Sequence, residues 1–504
     1  MKNRFLSGVF LIALCLPFLG TAQPPAPKDT IPKPEVSVTK HSITIDGKAV
    51  NYTTTAGTLL LRNEQDEPIA LYGFTAYTKD GVNDKSARPV MFAYNGGPGS
   101  SSIWLHMGAL GPKRTVVNDP GLTPASPYKL ADNKYSVLDI ADLVMIDPVG
   151  TGLSRPVGKA TGKDFWGVDQ DIRTVSQFIK QYVTENDRWN SPKYLLGESY
   201  GTMRNAGVVD YLQENIGMAM NGVIMVSAVF DLRTITFAPG DDIPYIIYLP
   251  SYAASAWYHD KLPNKPANLE AFVEEVRVFA NGDYAAALMK GDRLSDQERE
   301  KILGKLVAYT GLSKNYIERA DLRVGPGEFE QELLRNDHNT MGRLDSRFKG
   351  INQDLLSQNA DYDPQSSSIS PAYTATFMNY FYNELKVNKK NSYHISAYGT
   401  GGFRWDWMRG PGGFGVPGAN TATDMADALS KNPNLKIVIF NGYYDLATPF
   451  NGVEYTIDHL GLEKNIKSNI IMKYYEAGHM MYTHEPSLAK FKQDIVEFFR
   501  MTGN

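Results

Sequence analysis

The chain has 504 residues, of which 42% are hydrophobic, and its formal net charge is -4. A chain of this length buries a large core and has room for one α/β domain with an insertion. This weakly acidic composition provides no basic field for nucleic acid, so a polyanion partner is disfavoured and small or peptidic substrates remain open.

The amino terminus has the order of a secretory signal peptide over residues 1–22. Lys2 and Arg4 precede an apolar run that ends at Leu19, and small residues follow it. A membrane anchor is the weaker interpretation because the run is short for a bilayer span and contains Pro17. We expect an exported protein, periplasmic or extracellular, without stable membrane insertion after the signal is removed.

Residues 23–34 contain five prolines, which predicts an extended linker. The single cysteine, Cys15, lies within the predicted signal peptide. The mature chain would then have no thiol, which excludes cysteine catalysis and disulfides. The sequence also has no His-Glu-x-x-His, P-loop or EF-hand string. We expect no metal and no cofactor.

Two patterns follow one another along the chain. Residues 36–87 alternate around Asp46-Gly47 and Asp80-Gly81, which predicts antiparallel hairpins. Short, continuously apolar runs then end in loops rich in Gly, Pro, Asp and Asn, as parallel strands buried on both faces do. These runs are Val90–Tyr94, Leu143–Ile146, Tyr194–Leu196, Val223–Val226, Ile437–Phe440 and Ile470–Met472.

Helical periodicity replaces the strand pattern between residues 236 and 398, where Ser295 and Glu298 have the spacing of a capping box. The prediction is an α/β-hydrolase fold with a mostly parallel central sheet, N-terminal antiparallel hairpins and an inserted helical cap. We assign the first part of the core to residues 35–235, the cap to 236–398 and the second part of the core to 399–504.

The string Gly197-Glu198-Ser199-Tyr200-Gly201 follows a predicted strand and has the form of a nucleophile elbow. In that geometry two glycines permit a sharp strand-to-helix turn that exposes the serine hydroxyl. A serine hydroxyl needs a histidine base, and the histidine needs an acid to orient it. His479 follows the last predicted strand and is the first choice of base, with His484 second, and Asp445 follows the preceding strand. The order Ser199, Asp445, His479 is that of α/β-hydrolases.

The oxyanion hole requires two preorganised donors. We expect the backbone N–H of Tyr200 to be one of them. The other is the N–H of Gly97, within the loop Asn95-Gly96-Gly97-Pro98-Gly99, although this loop also fits an ordinary tight turn.

Four strings together resemble the serine carboxypeptidase family, peptidase family S10, in a bacterial-type form. They are Asn95–Ser102, Asp147–Gly152, Gly197–Gly201 and Gly478–Met480. The resemblance implies an α/β-hydrolase fold with a helical insertion and a secreted serine-type carboxypeptidase that acts on peptides with a free C-terminus. It also implies that Asn95 and Glu198 bind the substrate carboxylate. A buried Glu198 that keeps its proton would donate to that carboxylate, which favours acidic pH.

The chain departs from eukaryotic members at three positions. Ala93, Ser100 and Ala109 stand where those members have tryptophan, cysteine and glutamate. The departures leave the hydrolytic machinery in place but put strict C-terminal recognition in question. A serine esterase or acyltransferase on the same triad and a non-catalytic peptide-binding protein are the alternatives. Side-chain specificity and oligomeric state are not predicted.

Overall fold

A computed structural model describes residues 31–410 and 419–503. The predicted signal peptide, with Cys15, and residues 23–30 of the predicted linker lie outside the described residues. In chain order the strands are β1 Val36–Ile45, β2 Lys48–Arg62, β3 Pro68–Lys79, β4 Val90–Tyr94, β5 Lys113–Val116, β6 Lys129–Asp132, β7 Asp142–Asp147, β8 Arg155–Pro156, β9 Lys193–Glu198, β10 Gly222–Val226, β11 Asn339–Met341, β12 Lys349–Ile351, β13 Lys436–Gly442 and β14 Ile470–Tyr475.

The helices connect and cover these strands. They are α1 Ile103–Leu105, α2 Val168–Glu185, α3 Tyr200–Tyr211, α4 Ile243–Tyr258, α5 Leu269–Phe279, α6 Ala285–Lys290, α7 Asp296–Thr310, α8 Lys314–Arg319, α9 Pro326–Glu332, α10 Pro364–Asn379, α11 Ala422–Lys431, α12 Phe450–Asp458, α13 Lys464–Lys467 and α14 Glu485–Met501.

The N-terminal strands β1, β2 and β3 form antiparallel pairs, as predicted. Asp46 and Gly47 form a two-residue turn in which both have positive φ, 48° and 74°. The expectation of a hairpin at Asp80-Gly81 is wrong, because the second hairpin turns at residues 63–67. There the Asn63 side chain accepts hydrogen bonds from the backbone N–H groups of Gln65 and Glu67, at 3.1 and 2.8 Å, which stabilises a turn that the Asp-Gly rule does not detect.

The central sheet has the order β1-β2-β3-β7-β4-β9-β10-β13-β14. The six strands from β7 to β14 in this order run parallel to one another, and β3 pairs with β7 antiparallel. Each of the six predicted apolar runs is one of these parallel strands. Their carboxyl ends therefore meet at one edge of the sheet, where polar loops collect.

Helices cover both faces of the sheet. Along β10, Val223 and Met225 belong to one cluster of buried residues, while Ile224 and Val226 belong to the cluster on the other face. Helices α2, α3 and α11 pack in the first cluster, and α10 and α14 pack in the second. Buried residues on both faces explain why the strands are continuously apolar. This architecture is the predicted α/β-hydrolase fold.

Helices α4 to α9 follow β10 and pack around a separate apolar cluster. Ser295 and Glu298 form the predicted capping box at the start of α7, where each side chain accepts a hydrogen bond from the other's backbone N–H. Helix α10 packs against the sheet instead of this separate cluster. Across the ranges that the structure describes, no helix has the length and apolar character needed to cross a membrane.

Candidate active site

Ser199 occupies the sharp turn between β9 and α3. Its φ of 59° and ψ of -131° are unfavourable for a residue with a Cβ. A Cβ on Gly197 would lie 2.3 Å from the carbonyl oxygen of Gly201, so the turn requires glycine at this position. Ser199 is partly exposed, while Glu198 and Tyr200 beside it are buried. This is the geometry of a nucleophile elbow.

His479 and Asp445 are hydrogen-bonded to each other. His479 Nδ1 lies 2.8 Å from Asp445 Oδ2, and both side chains are buried. The other carboxylate oxygen of Asp445 accepts hydrogen bonds from the backbone N–H groups of Ala447 and Thr448, at 2.8 and 3.0 Å. The Thr448 hydroxyl donates to Asp445 Oδ2 at 2.9 Å. These bonds hold Asp445 as an acceptor for an Nδ1–H tautomer, which leaves Nε2 free to act as a base.

Two opposing effects act on the imidazole of His479. Burial lowers its pKa, and the Asp445 carboxylate and the hydrogen bond to it raise the pKa, with a net increase. The carboxyl group of Glu198 adds to this increase. Glu198, the residue before Ser199, therefore influences the charge state of the imidazole.

Adjacent strands bring these residues to one edge of the sheet. Ser199 follows β9, Asp445 follows β13 and His479 follows β14. Between them, Ser227 after β10 donates its hydroxyl to the carbonyl of His479 at 2.7 Å. The backbone N–H of Ser199 donates to Val226 at 3.0 Å. His484, the second choice of base, instead lies 2.8 Å from the Ser487 hydroxyl at the start of α14.

The Asn95–Gly99 loop packs directly against the elbow. A Cβ on Gly96 would lie 2.5 Å from the backbone nitrogen of Tyr200 and 2.6 Å from that of Gly201. Gly97 has a φ of 107°, which favours glycine. The glycines therefore let this backbone approach the N–H groups at the start of α3. The two predicted oxyanion donors, Gly97 and Tyr200, belong to these two contacting segments.

Glu198 is buried among hydrogen-bond donors. Asn95 Nδ2 donates to Glu198 Oε1 at 2.9 Å, and the Tyr482 hydroxyl donates to Oε2 at 2.7 Å. Burial raises the pKa of Glu198 to about 7, although His479 and both hydrogen bonds act in the opposite direction. A carboxyl group with this pKa is protonated in acidic solution. The structure thus brings together the two predicted carboxylate-binding residues beside Ser199.

One segment of the chain is similar to a known protein family. Residues 47–225 match the model of the family described as serine carboxypeptidase. Over this segment, about a third of its length, the chain resembles the serine carboxypeptidase family. The matched segment contains the Asn95–Gly99 loop and Ser199, whereas Asp445 and His479 lie beyond it.

The pheromone-processing carboxypeptidase KEX1 of Saccharomyces cerevisiae strain S288c is 29% identical to this chain over 272 residues. The match covers 51% of this chain and 35% of KEX1, so it spans about a third of the relative's length. The KEX1 sequence of strain JAY291 matches at the same identity, with 34% of its length covered.

A crystal structure of KEX1(Δ)p, a prohormone-processing carboxypeptidase from Saccharomyces cerevisiae, has a similar fold. The TM-score is 0.53 and the sequence identity is 19%, with 89% of this chain and 91% of that chain covered. This likeness confirms the fold.

The structure shows what surrounds two of the departures from eukaryotic serine carboxypeptidases. Ala93 and Ala109 are fully buried. Beside Ala109, a Cβ on Gly108 would meet the Tyr482 ring at 2.4 Å and the Tyr373 hydroxyl at 2.6 Å. Two tyrosines therefore fill the space next to the position where those members have glutamate, and one of them donates to Glu198.

Sequence reasoning missed a segment that contacts the loops of both Asp445 and His479. In this segment, residues 343–347, the carbonyl of Leu344 accepts from His479 N–H at 2.6 Å and that of Arg343 accepts from Leu446 N–H at 3.0 Å. Asp345 Oδ2 accepts from Gly478 N–H at 3.0 Å. A Cβ on Gly478 would lie 2.4 Å from that of Asp345. We call residues 343–347 the clamp, because it contacts the loops of Asp445 and His479 together.

An ion-pair network fixes the clamp. Arg347 lies between two buried carboxylates, with Nη2 2.6 Å from Asp345 and 3.0 Å from Asp119. The Thr483 hydroxyl donates to Asp119 at 3.1 Å. No local motif marks these residues in the sequence. Polar and charged residues are common on both sides of this segment, so Asp345 and Arg347 do not stand out.

Proposed function

We propose that the protein is an exported serine carboxypeptidase that removes C-terminal residues from peptides through an acyl-enzyme on Ser199. The observation that carries the proposal is the buried pair of Asn95 and Glu198 beside the strained Ser199. A serine hydrolase in general needs an elbow, a base and an acid. A carboxyl group that is protonated in acidic solution and lies next to the nucleophile is suited, in addition, to bind the end of a peptide.

In the proposed reaction, the Ser199 hydroxyl attacks the carbonyl carbon of the last peptide bond. His479 Nε2 accepts the hydroxyl proton, while Asp445 stabilises the imidazolium through Nδ1. The N–H groups of Gly97 and Tyr200 bind the oxyanion. The imidazolium then protonates the leaving amine, and the C–N bond breaks. Water, deprotonated by His479, hydrolyses the acyl-enzyme and restores Ser199.

Asn95 and Glu198 would select the chain end. Two carboxyl groups share a hydrogen bond only when one of them holds a proton, so protonated Glu198 donates to the substrate carboxylate. Ionised Glu198 repels that carboxylate. Peptide binding should therefore weaken as pH rises through about 7, which supports the preference for acidic pH.

Neutral Glu198 also favours the unprotonated form of His479, the proposed base. An ionised Glu198 raises the pKa of His479, and protonation of Glu198 removes this effect. The state that binds the carboxylate is thus the state in which His479 more readily loses its proton. This coupling favours activity on the acidic side of neutrality.

The predicted cap, residues 236–398, would limit access to chain ends, and export rests on the predicted signal peptide. The deciding experiment compares one peptide with a free C-terminus and the same peptide with a C-terminal amide, with products read by mass spectrometry. We expect sequential loss of single residues from the free peptide only. Equal rates would contradict carboxypeptidase activity and favour the esterase or acyltransferase alternative. Failure of Ser199 to react with an active-site phosphonate would favour a non-catalytic protein.

A further inference from the structure

Arg343 begins the clamp and lies beside both catalytic loops. Its carbonyl oxygen accepts a hydrogen bond from Leu446, the residue after Asp445, and the next carbonyl accepts from His479. The backbone of Arg343 is therefore fixed to the catalytic machinery. Its side chain, in contrast, is exposed.

Within the part of the chain that the structure describes, the guanidinium group of Arg343 has no hydrogen bond or ion pair. Asp363, a neighbouring carboxylate, accepts instead from the backbone N–H groups of Leu344 and Ser366, at 2.8 and 2.7 Å. Burial raises the pKa of Glu330 in α9 to about 8, and Arg343 opposes this increase. Glu330 is thus uncharged near neutrality and does not neutralise Arg343.

The positive charge of Arg343 affects the pKa values of three residues. Arg343 acts electrostatically on His479, on Tyr248 in α4 and on Glu330 in α9. Glu198 interacts with Asn95, Tyr482 and His479, so His479 is the group that it shares with Arg343. When the terminal carboxylate is held at Glu198, as proposed above, the residues before the scissile bond extend away from Glu198, and the exposed Arg343 beside the His479 loop is available to them.

We propose that Arg343 is a specificity-determining residue that binds an acidic side chain in the acyl part of the substrate, at the residue before the scissile bond. The inference rests on the proposed carboxypeptidase function. An exposed guanidinium group without a partner binds a carboxylate by bidentate, charge-assisted hydrogen bonds. The same positive charge repels lysine or arginine at that position.

The test uses peptides with free C-termini that differ only in Glu, Gln or Lys before the scissile bond. In the wild-type protein, we expect kcat/KM for Glu to exceed that for Gln by about three- to tenfold, with Lys the slowest. Arg343→Gln should reduce the Glu/Gln ratio to about one, and Arg343→Lys should retain part of it. The ratio should also fall in high salt, because the interaction is electrostatic.

Two controls separate the possible causes. Arg319→Gln removes an exposed positive charge from α8, within the predicted cap. It should leave the Glu/Gln ratio of kcat/KM unchanged. Arg343→Gln also changes the surroundings of His479, but this affects all three peptides alike and cancels in the ratio. The clamp survives the substitution because it uses only the backbone of Arg343.

The outcomes are distinct. If the Gln peptide is not cleaved, the proposed function fails and this inference fails with it. If the Gln peptide is cleaved without a preference for Glu, or if the preference persists in Arg343→Gln, only the role of Arg343 is overturned. A preference for acidic residues confined to the released C-terminal position overturns the placement of the carboxylate before the scissile bond.

Discussion

The Tyr482 hydroxyl donates a 2.7 Å hydrogen bond to Glu198 Oε2, so the chain segment that follows His479 also contacts the residue before Ser199. Tyr482 lies three residues after His479, and Glu198 directly precedes Ser199. The same carboxyl group interacts electrostatically with His479. The proposed base and the proposed carboxylate receptor are therefore buried groups that interact electrostatically, and their protonation states are linked.

Replacement of Glu198 by glutamine tests whether Glu198 binds the terminal carboxylate of the substrate. The amide donates a hydrogen bond at every pH and has no negative charge. For a free peptide, wild-type kcat/KM should fall as pH rises through about 7, and Glu198→Gln should lack this alkaline limb. Its acidic limb should not move to lower pH, because Glu198 is already protonated in acidic solution and does not raise the pKa of His479 there. The measurement is kcat/KM against pH for a free peptide and for an ester without a terminal carboxylate. Identical profiles in both proteins would exclude Glu198 as the receptor.

Tyr482→Phe should move the alkaline limb of the kcat/KM profile to higher pH. The Tyr482 hydrogen bond lowers the pKa of Glu198, so its removal raises that pKa and carries the limb to higher pH. Tyr475→Phe is a matched control, because the Tyr475 hydroxyl makes a similar 2.6 Å bond to Asp494, away from Glu198. A pH profile that shifts equally in both variants, or in neither, would contradict this role of Tyr482.

The sequence predicts this fold and the location of the site because both depend on local patterns. Continuous apolar runs identify the buried parallel strands, and parallel strands place the residues after them, such as Ser199 and Asp445, at one edge. The clamp escaped detection because Asp345 contacts Gly478 across more than a hundred residues. The contact of Tyr482 with Glu198 was not predicted because a tyrosine near the start of a helix has no distinctive sequence spacing. Contacts of this kind are set by packing, which a single sequence does not reveal.

Two substitutions of Ser199 separate catalysis from backbone strain. Both Ser199→Ala and Ser199→Gly remove the hydroxyl and should reduce kcat by roughly 10⁵-fold or more. They should differ in stability, because only glycine adopts the φ of 59° without a Cβ penalty. We expect Ser199→Gly to be about 1 kcal/mol more stable than Ser199→Ala in denaturant unfolding. Equal stability of the two variants would show that the elbow is not strained in solution.

We expect Asp345 to act as a positioning residue for the His479 loop. Its carboxylate accepts from Gly478 N–H and pairs with Arg347, at 3.0 and 2.6 Å. Asp345→Asn removes the charge and weakens the support of the His479 loop. We expect kcat per active site to fall about tenfold with KM changed less than twofold, since a misoriented imidazole impairs proton transfer more than binding. Active sites are counted by titration with a phosphonate, so that unfolded protein does not contribute.

A control variant distinguishes positioning from general stability. Asp142 is also buried between two arginines, Arg88 at 3.0 Å and Arg188 at 2.6 Å, but it begins β7 at the opposite edge of the sheet. Asp142→Asn should lower the free energy of unfolding by about 3 kcal/mol and leave kcat per titrated site unchanged. If Asp345→Asn behaves in the same way, the carboxylate only stabilises the fold. A selective loss of kcat in Asp345→Asn would show that a residue between the two catalytic loops, more than a hundred positions from His479 along the chain, sets the orientation of the base.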